Sequence, residues 1–464
     1  MTRLEDVVSG GAWLDPEAAH DLRGRFLLGR AVEAYSLMLP AMNVVGLRDG
    51  SEAVFGRGYQ VLPIWKDRMD SRAVVPTPNA DVIYSMSYLN LRDTGPLVVY
   101  APPHVIGMFT DFYQRTLTDV GASGPDRARG GLYLLLPPDY DGPQPAGYFT
   151  VRSSTFNVIL FFRTVLTQGP DGPDTAQAVA TAEQTLIYPL GSLPGERSPM
   201  QFPNASGQRL DMMYPTDGSY WQAVKRWIDD EPVAALPMNV RGVLASLGIV
   251  KGVPFDPADD VAAALAEAVE LAPRMIFANR LSGAFLARAH YWNDRQYMNV
   301  WGGVTADFQT PSYTDVDMRA AYFQIAYSSA PAMVAEMVGL GSKYPCTIRD
   351  ANGELLDGAH TYRLRLPPNP PARLYWAVTL YNAIDGTMPE TPQMLPSINQ
   401  YDRPEAAEDG SVELWFGPQR PDGVGEKNWI QSIPGRAELI AVRLYGVDHD
   451  FYTGAWKPDD VKRV

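Results

Sequence analysis

The chain has 464 residues, 46% of them hydrophobic and 11% aromatic, enough for two or three domains with large cores. A net charge of −14, with no local run of five or six lysines or arginines, excludes a nucleic-acid or anionic-membrane partner. A single cysteine, Cys346, excludes an intramolecular disulfide, and 40 prolines with 40 glycines exclude an all-helical fold.

The segment opening Met1-Thr2-Arg3-Leu4 has no basic-then-apolar run, and no stretch of 18 apolar residues follows, so a soluble cytoplasmic protein without a membrane partner is expected. Residues 16 to 39 predict a helix. Asp15 caps it, Pro16 suits its first position, Leu22, Phe26, Leu27, Ala31 and Ala34 form its apolar stripe, and Pro40 ends it. A Gly-rich connection over 46 to 58 leads to Pro76-Thr77-Pro78-Asn79-Ala80-Asp81. Here two prolines stiffen the backbone, and Asn79 and Asp81 favour a turn. A strand follows, with Val82, Tyr84, Met86 and Tyr88 on one face and Ile83, Ser85, Ser87 and Leu89 on the other. Further strands are predicted at Leu97 to Tyr100, Val105 to Phe112, Gly131 to Leu136, Gly147 to Arg152 and Asn157 to Leu166. Turn-rich separators at this spacing indicate an antiparallel sandwich or barrel.

After Gly169-Pro170-Asp171-Gly172-Pro173 the pattern becomes helical over 174 to 190, 219 to 229, 233 to 247, 257 to 299 and 314 to 338, with Pro273 dividing the fourth segment. From Gly341 strands return at Tyr344 to Arg349, Thr361 to Leu366, Leu374 to Tyr381, Val412 to Phe416 and Glu438 to Tyr445. The expected organisation is α+β, mainly β. An N-terminal helix and first sandwich occupy 1–170, a helical middle 171–340 and a second sandwich 341–464.

The five histidines lack metal-ligand spacing, and neither a dinucleotide fingerprint, a phosphate loop nor a nucleophile elbow is present. Neither a cofactor nor a metal is therefore expected, and Cys346 reads as a buried, inert thiol. What remains is a stock of polar aromatics near arginines, which suits sugars, phenols or other oxygenated rings. Asp81 is the candidate general base, with Tyr84 and Arg152 as donors that hold an anionic or carbonyl group in the transition state. Asn79, Tyr88, Tyr113, Trp376, Tyr381 and Trp429 are candidate substrate contacts. The structural alternative is an Asx-turn entering a core strand, with tyrosines and tryptophans filling the sandwiches. No second carboxylate pairs with Asp81, so glycoside hydrolysis lacks support.

Several short motifs recur in order along the chain. They are Tyr35 to Pro40, Asn79-x-Asp81-x-x-Tyr84-Ser85, Gly95-Pro96-Leu97 and Val151-Arg152-Ser153, then Leu356-Asp357-Gly358, Tyr362-Arg363-Leu364, Trp376-x-x-Thr379-Leu380-Tyr381, Asn428-Trp429, Arg443-Leu444-Tyr445 and Gly454-Ala455-Trp456-Lys457-Pro458. In these the chain resembles a two-part bacterial family of domains of unknown function, numbered 1254 for the N-terminal part and 1214 for the C-terminal part. The resemblance implies two jelly-roll-like domains with helices between them, and says little of chemistry. Many relatives look exported, unlike this chain, and Val82 stands where the family motif has threonine. The expected function is a cofactor-independent enzyme, hydrolase or tailoring type, acting on a polar small molecule such as a sugar derivative or oxygenated ring compound. The alternative is a non-catalytic ligand-binding or assembly module, and homo-oligomerisation is left open.

Overall fold

A computed structural model describes residues 3–170 and 172–464; Met1, Thr2 and Asp171, the last within the expected linker, lie outside them. The first long element is α1 (Pro16–Phe55), capped as expected by the Asp15 carboxylate, which accepts from the Glu17 backbone N–H at 3.1 Å. Pro40 does not end it. From Met38 to Leu47 every residue of the helix is buried, and that burial outweighs the one backbone bond a proline removes. Gly46 and Gly50 are not loop residues either: a Cβ on them would strike the carbonyls of Met213 and Asp211, so they let the helix cross that backbone closely.

The N-terminal sandwich comprises β1 (Val82–Asn90), β2 (Leu97–Ala101), β3 (Ile106–Asp111), β4 (Thr116–Val120), β5 (Gly131–Leu136), β6 (Phe149–Arg152), β7 (Asn157–Val165) and β8 (Leu186–Pro189). One sheet runs β1-β7-β3-β4 and the other β8-β2-β5-β6. The strand β8 corrects the helix expected over 174 to 190. Only Ala176–Ala182 is helical, and the β-prone Leu186-Ile187-Tyr188 pairs with β2, so this sandwich extends past residue 170. Leu89, Val99, Phe109, Tyr133, Leu160 and Phe162 fill the space between its sheets.

The middle of the chain is helical, with α2 (Ser219–Asp230), α3 (Asp259–Arg280) and α4 (Val316–Ile325) as its longer elements. Pro273 lies inside α3 rather than dividing it, and its carbonyl accepts from Gln324 at 2.8 Å. Among the described residues no helix is long and apolar enough to cross a membrane.

The C-terminal sandwich comprises β9 (Ser342–Lys343), β10 (Cys346–Thr347), β11 (Tyr362–Leu366), β12 (Ala372–Asn382), β13 (Ser397–Asn399), β14 (Val412–Gly417), β15 (Trp429–Gln431), β16 (Glu438–Val447) and β17 (Lys462–Arg463). Its sheets run β9-β16-β12-β13, with β10 also on β16, and β15-β14-β11-β17. The fold is α+β with mainly antiparallel sheets, as expected. The β5–β6 and β14–β15 pairs are parallel, whereas a jelly roll is antiparallel throughout.

Strand alternation decides what each sandwich shows to the other. In β12, Trp376, Val378 and Leu380 enter the C-terminal core, while Tyr375, Ala377 and Tyr381 face outward. In β16 the outward set is Leu439, Ala441, Arg443 and Tyr445. In β1 and β7 the corresponding outward set includes Tyr84, Met86, Phe161 and Arg163. These two faces meet, together with α1 and the middle helices, in the largest core of the molecule.

Candidate functional site

The Pro76–Asp81 segment crosses from one sandwich to the other and is tied down at each residue that sequence pointed to. Asn79 accepts the Asp81 backbone N–H at 2.9 Å, the expected Asx-turn, and donates to the Tyr445 hydroxyl of the C-terminal sandwich at 2.6 Å. Asp81 is fully buried. Its carboxylate accepts from Arg68 at 2.7 Å, Asn399 at 2.7 Å and Ser397 at 2.9 Å, and Arg68 also pairs with Asp402 at 2.7 Å. The acid expected to act as a base is therefore the centre of a clamp between the halves of the chain.

Beside that clamp lies a cavity of about 70 Å³. The N-terminal sandwich supplies Tyr84 and Arg163, opposite one another in the β1–β7 ladder, and the C-terminal sandwich supplies Tyr344, Tyr381, Arg443 and Tyr445. Trp301, Tyr322 and Tyr327 from the middle segment close the third side. Arg443 donates to the Thr77 carbonyl at 3.1 Å and to the Tyr381 hydroxyl, and its guanidinium lies 5.7 Å from the Tyr344 ring centre. Arg163 reaches the Tyr344 hydroxyl at 3.5 Å, and Ser342 shares a hydrogen with that hydroxyl at 2.8 Å. Two non-glycine lining residues, Thr77 with φ +38° and Ser328 with φ +59°, hold left-handed backbone. For a β-branched threonine that is a strained conformation of the kind that collects at functional sites.

Two facing phenols of this cavity, Tyr344 and Tyr445, are shifted in opposite directions, while the others that line it are raised by burial. Burial pushes the Tyr344 hydroxyl up, but Arg163, the Ser342 and Tyr445 hydroxyls and Arg443 together bring it below the ordinary tyrosine value. Burial, with Tyr344 beside it, carries Tyr445 well above that value. Paired groups pushed apart in this way are suited to serve as base and acid. Cys346 also lines the cavity, yet burial pushes its thiol up to about 12, leaving it protonated, as expected of an inert cysteine.

The remaining candidates lie elsewhere. Arg152 is exposed on β6, donating to the carbonyls of Pro137 at 3.1 Å and Pro138 at 3.3 Å. Tyr88 lines a surface cavity of about 940 Å³ beside Arg48 and Glu52, and its buried hydroxyl has no partner. Tyr113 donates to the Leu37 carbonyl at 2.6 Å and lines a groove of about 850 Å³ under α1. Several cations in these larger spaces have acids, as in Arg48–Asp49, Arg57–Glu52 and Arg115–Asp111, while Arg92 and Arg319 lie over the rings of Phe156 and Tyr113. Trp376 is in the C-terminal core, and Trp429 is half-buried on the outer sheet with its indole N–H on the Gly417 carbonyl at 3.2 Å. Of the sequence candidates, the structure thus brings Tyr84 and Tyr381 to one cavity, with Asn79 and Asp81 bracing its wall. Arg163, Arg443 and Tyr344 were missed. A charged residue inside an otherwise apolar strand run was the available signal for both arginines. Among the described residues no three His, Cys, Asp or Glu side chains gather closely enough to hold a metal ion.

Residues 60–189 match the family DUF1254 and residues 341–449 the family DUF1214, each described as a protein of unknown function. No curated protein matches the chain. Among solved structures, the VPA0106 protein from Vibrio parahaemolyticus aligns over 94% of this chain and 100% of its own, with 17% identity and a TM-score of 0.56. An uncharacterized protein from Burkholderia cenocepacia aligns over 99% and 92%, with 13% identity and a TM-score of 0.41.

Proposed function

For a chain that carries both parts of the DUF1254–DUF1214 family, we propose an enzyme of hydrolase or tailoring type that acts on a polar, oxygenated small molecule in the cavity between the two sandwiches. The observation that carries this reading is the convergence of Tyr344 and Tyr445 with two guanidiniums on one cavity. In it, Tyr344 takes a proton from the substrate or from water, Tyr445 returns one, and Arg163 and Arg443 stabilise the oxygen on which negative charge develops. Each of these steps uses side chains alone. The one cysteine is unpaired, which suits a reducing compartment such as the cytoplasm.

Thermal-shift screening against sugars, phenols and small esters identifies the ligand, because selective binding to the folded state raises its stability. With a turned-over compound in hand, Tyr344→Phe lowers kcat by about 10²–10⁴-fold while keeping the ring in place. Unchanged kcat in that variant removes Tyr344 from the chemistry. A second reading, an assembly module, draws on the exposed apolar side chains Trp13, Leu22 and Phe26 near the N-terminal end. It predicts a mass in solution that falls on dilution, and one that stays at the monomer value at every concentration when those three are replaced by serine.

A further inference from the structure

The following inference rests on the cavity being the ligand site and concerns the charge of what enters it. An arginine inside a β-strand is expensive unless a carboxylate or several hydrogen bonds compensate its charge. Arg68 meets that condition, held by both Asp81 and Asp402, while Arg280 has only the Ala383 carbonyl. In the cavity the compensation is partial. Arg163 and Arg443 are 5% and 7% exposed, and among the described residues neither lies within 4 Å of a carboxylate. The Nε of each has no partner, and the one hydrogen bond Arg163 makes is the long contact to Tyr344. Asp119 feels the charge of Arg163, but one of its oxygens accepts the Ala332 backbone N–H and the other is unpaired. Arg443 is held by the Thr77 and Pro78 carbonyls and the Tyr381 hydroxyl, so the space receives one cation with almost no compensation, Arg163, and one without a carboxylate, Arg443.

We infer that this space takes a small carboxylate, whose oxygens sit between Arg163 and Arg443 and whose carbon skeleton lies against the tyrosine rings. A guanidinium presents a planar fork matched to a carboxylate, and the surrounding phenols give further donors. Size points the same way. At roughly 10–15 Å³ for each water-sized group, about 70 Å³ admits about five such groups, a carboxylate with a short tail. A phosphate site is commonly built from a cradle of backbone N–H groups at a turn or helix start, whereas this wall is made of rings and two forks.

The test uses the full chain, with sodium propionate and sodium phosphate as probes at one ionic strength set by sodium chloride, read by thermal midpoint and by tryptophan fluorescence, since Trp301 lines the cavity. Propionate is expected to raise the midpoint of the wild-type chain and phosphate to leave it unchanged. Arg163→Gln and Arg443→Gln each weaken propionate binding about 30-fold or more. Ligand-free, Arg163→Gln melts at or above the wild-type midpoint, because a buried charge with one long hydrogen bond is gone, whereas a purely structural Arg163 would lower it; Arg443→Gln melts lower, since it gives up the bonds to Thr77, Pro78 and Tyr381. A shift that survives unchanged in both variants, or one produced by phosphate alone, overturns the inference. Should either variant fail to fold, the wild-type titration decides, and a flat fluorescence response to propionate overturns it. Tyr344→Phe keeps both guanidiniums and separates the two proposals. If it retains propionate binding and full turnover, only the role given to Tyr344 in the chemistry fails; if it loses turnover in a chain that propionate never stabilised, only the carboxylate inference fails.

Discussion

The two sandwiches deliver the same group to their meeting place by the same route, and surround it differently. In each, one long strand carries an arginine on its outward face, Arg163 in β7 and Arg443 in β16, with an apolar core behind it. On the N-terminal side the neighbours of that arginine are mostly apolar, Met86, Ile159 and Phe161, with Tyr84 the one phenol opposite it in the ladder. On the C-terminal side they are Tyr344, Tyr375, Tyr381 and Tyr445. Positive charge is shared between the halves, and proton-transfer capacity belongs to one. In the reaction proposed above, the N-terminal sandwich would bind and orient, and the C-terminal sandwich would supply acid and base.

This division needs the halves held in register, and the Asp81 clamp is where that is most exposed to attack. Arg68→Ala leaves Asp81 and its partners with a buried, unpaired carboxylate, a loss of about 3–5 kcal/mol in urea unfolding. A loss below about 1 kcal/mol would mean that the halves are held by their apolar contact alone. Since every listener to the Asp81 carboxylate is a protein group, Asp81→Asn is likewise expected to act on stability before it acts on turnover.

A finer contrast lies in one unpaired acid per half. Burial pushes Asp119 of β4 up to about 6, and burial with Asp357 pushes Glu438 of β16 up to about 8. Both values are raised on folding, so the folded chain binds more protons than the unfolded one. Stability therefore falls as pH rises from about 4, through 6 for Asp119 and through 8 for Glu438. Glu438→Gln and Asp119→Asn should each stabilise the chain by about 3 kcal/mol at pH 7. The gain from Asp119→Asn levels off above pH 6, while that from Glu438→Gln keeps growing to pH 8. Thermal midpoints measured from pH 4 to pH 9 check this, and curves that run parallel to the wild type would show that neither group titrates in that range.

Most of the strand framework was legible because period-two alternation is local. It placed Val82, Tyr84, Met86 and Tyr88 on one face, and the ladder confirms them there. Applied to β12 the same parity separates Trp376 from Tyr381, five residues apart and hence on opposite faces, so the two never belonged to one pocket. Arg163 within Phe161-Phe162-Arg163 and Arg443 within Ala441-Val442-Arg443 are legible by the same logic, as charges in apolar strand runs. The partners of Asp81 were not legible: Ser397 and Asn399 lie more than 300 residues away in the chain, and only the packed halves bring them together. The passage of α1 through Pro40 is of that kind too, since local propensity loses there to burial on all sides.

The smallest expected effect is the sharpest check on where the site lies. Arg152 and Arg163 are eleven residues apart on the same sandwich, one exposed at the end of β6 and capping two proline carbonyls, the other buried on the face turned to the second half. Sequence alone favoured the first, and the geometry favours the second. Arg152→Ala gives up solvent-exposed hydrogen bonds, so it should change stability by no more than about 0.5 kcal/mol and leave kcat and KM where they are. A large fall in kcat from that substitution would move the chemistry to the outer sheet, and the tyrosine cavity would then have to be explained as a packing feature that carries two charges for no catalytic end.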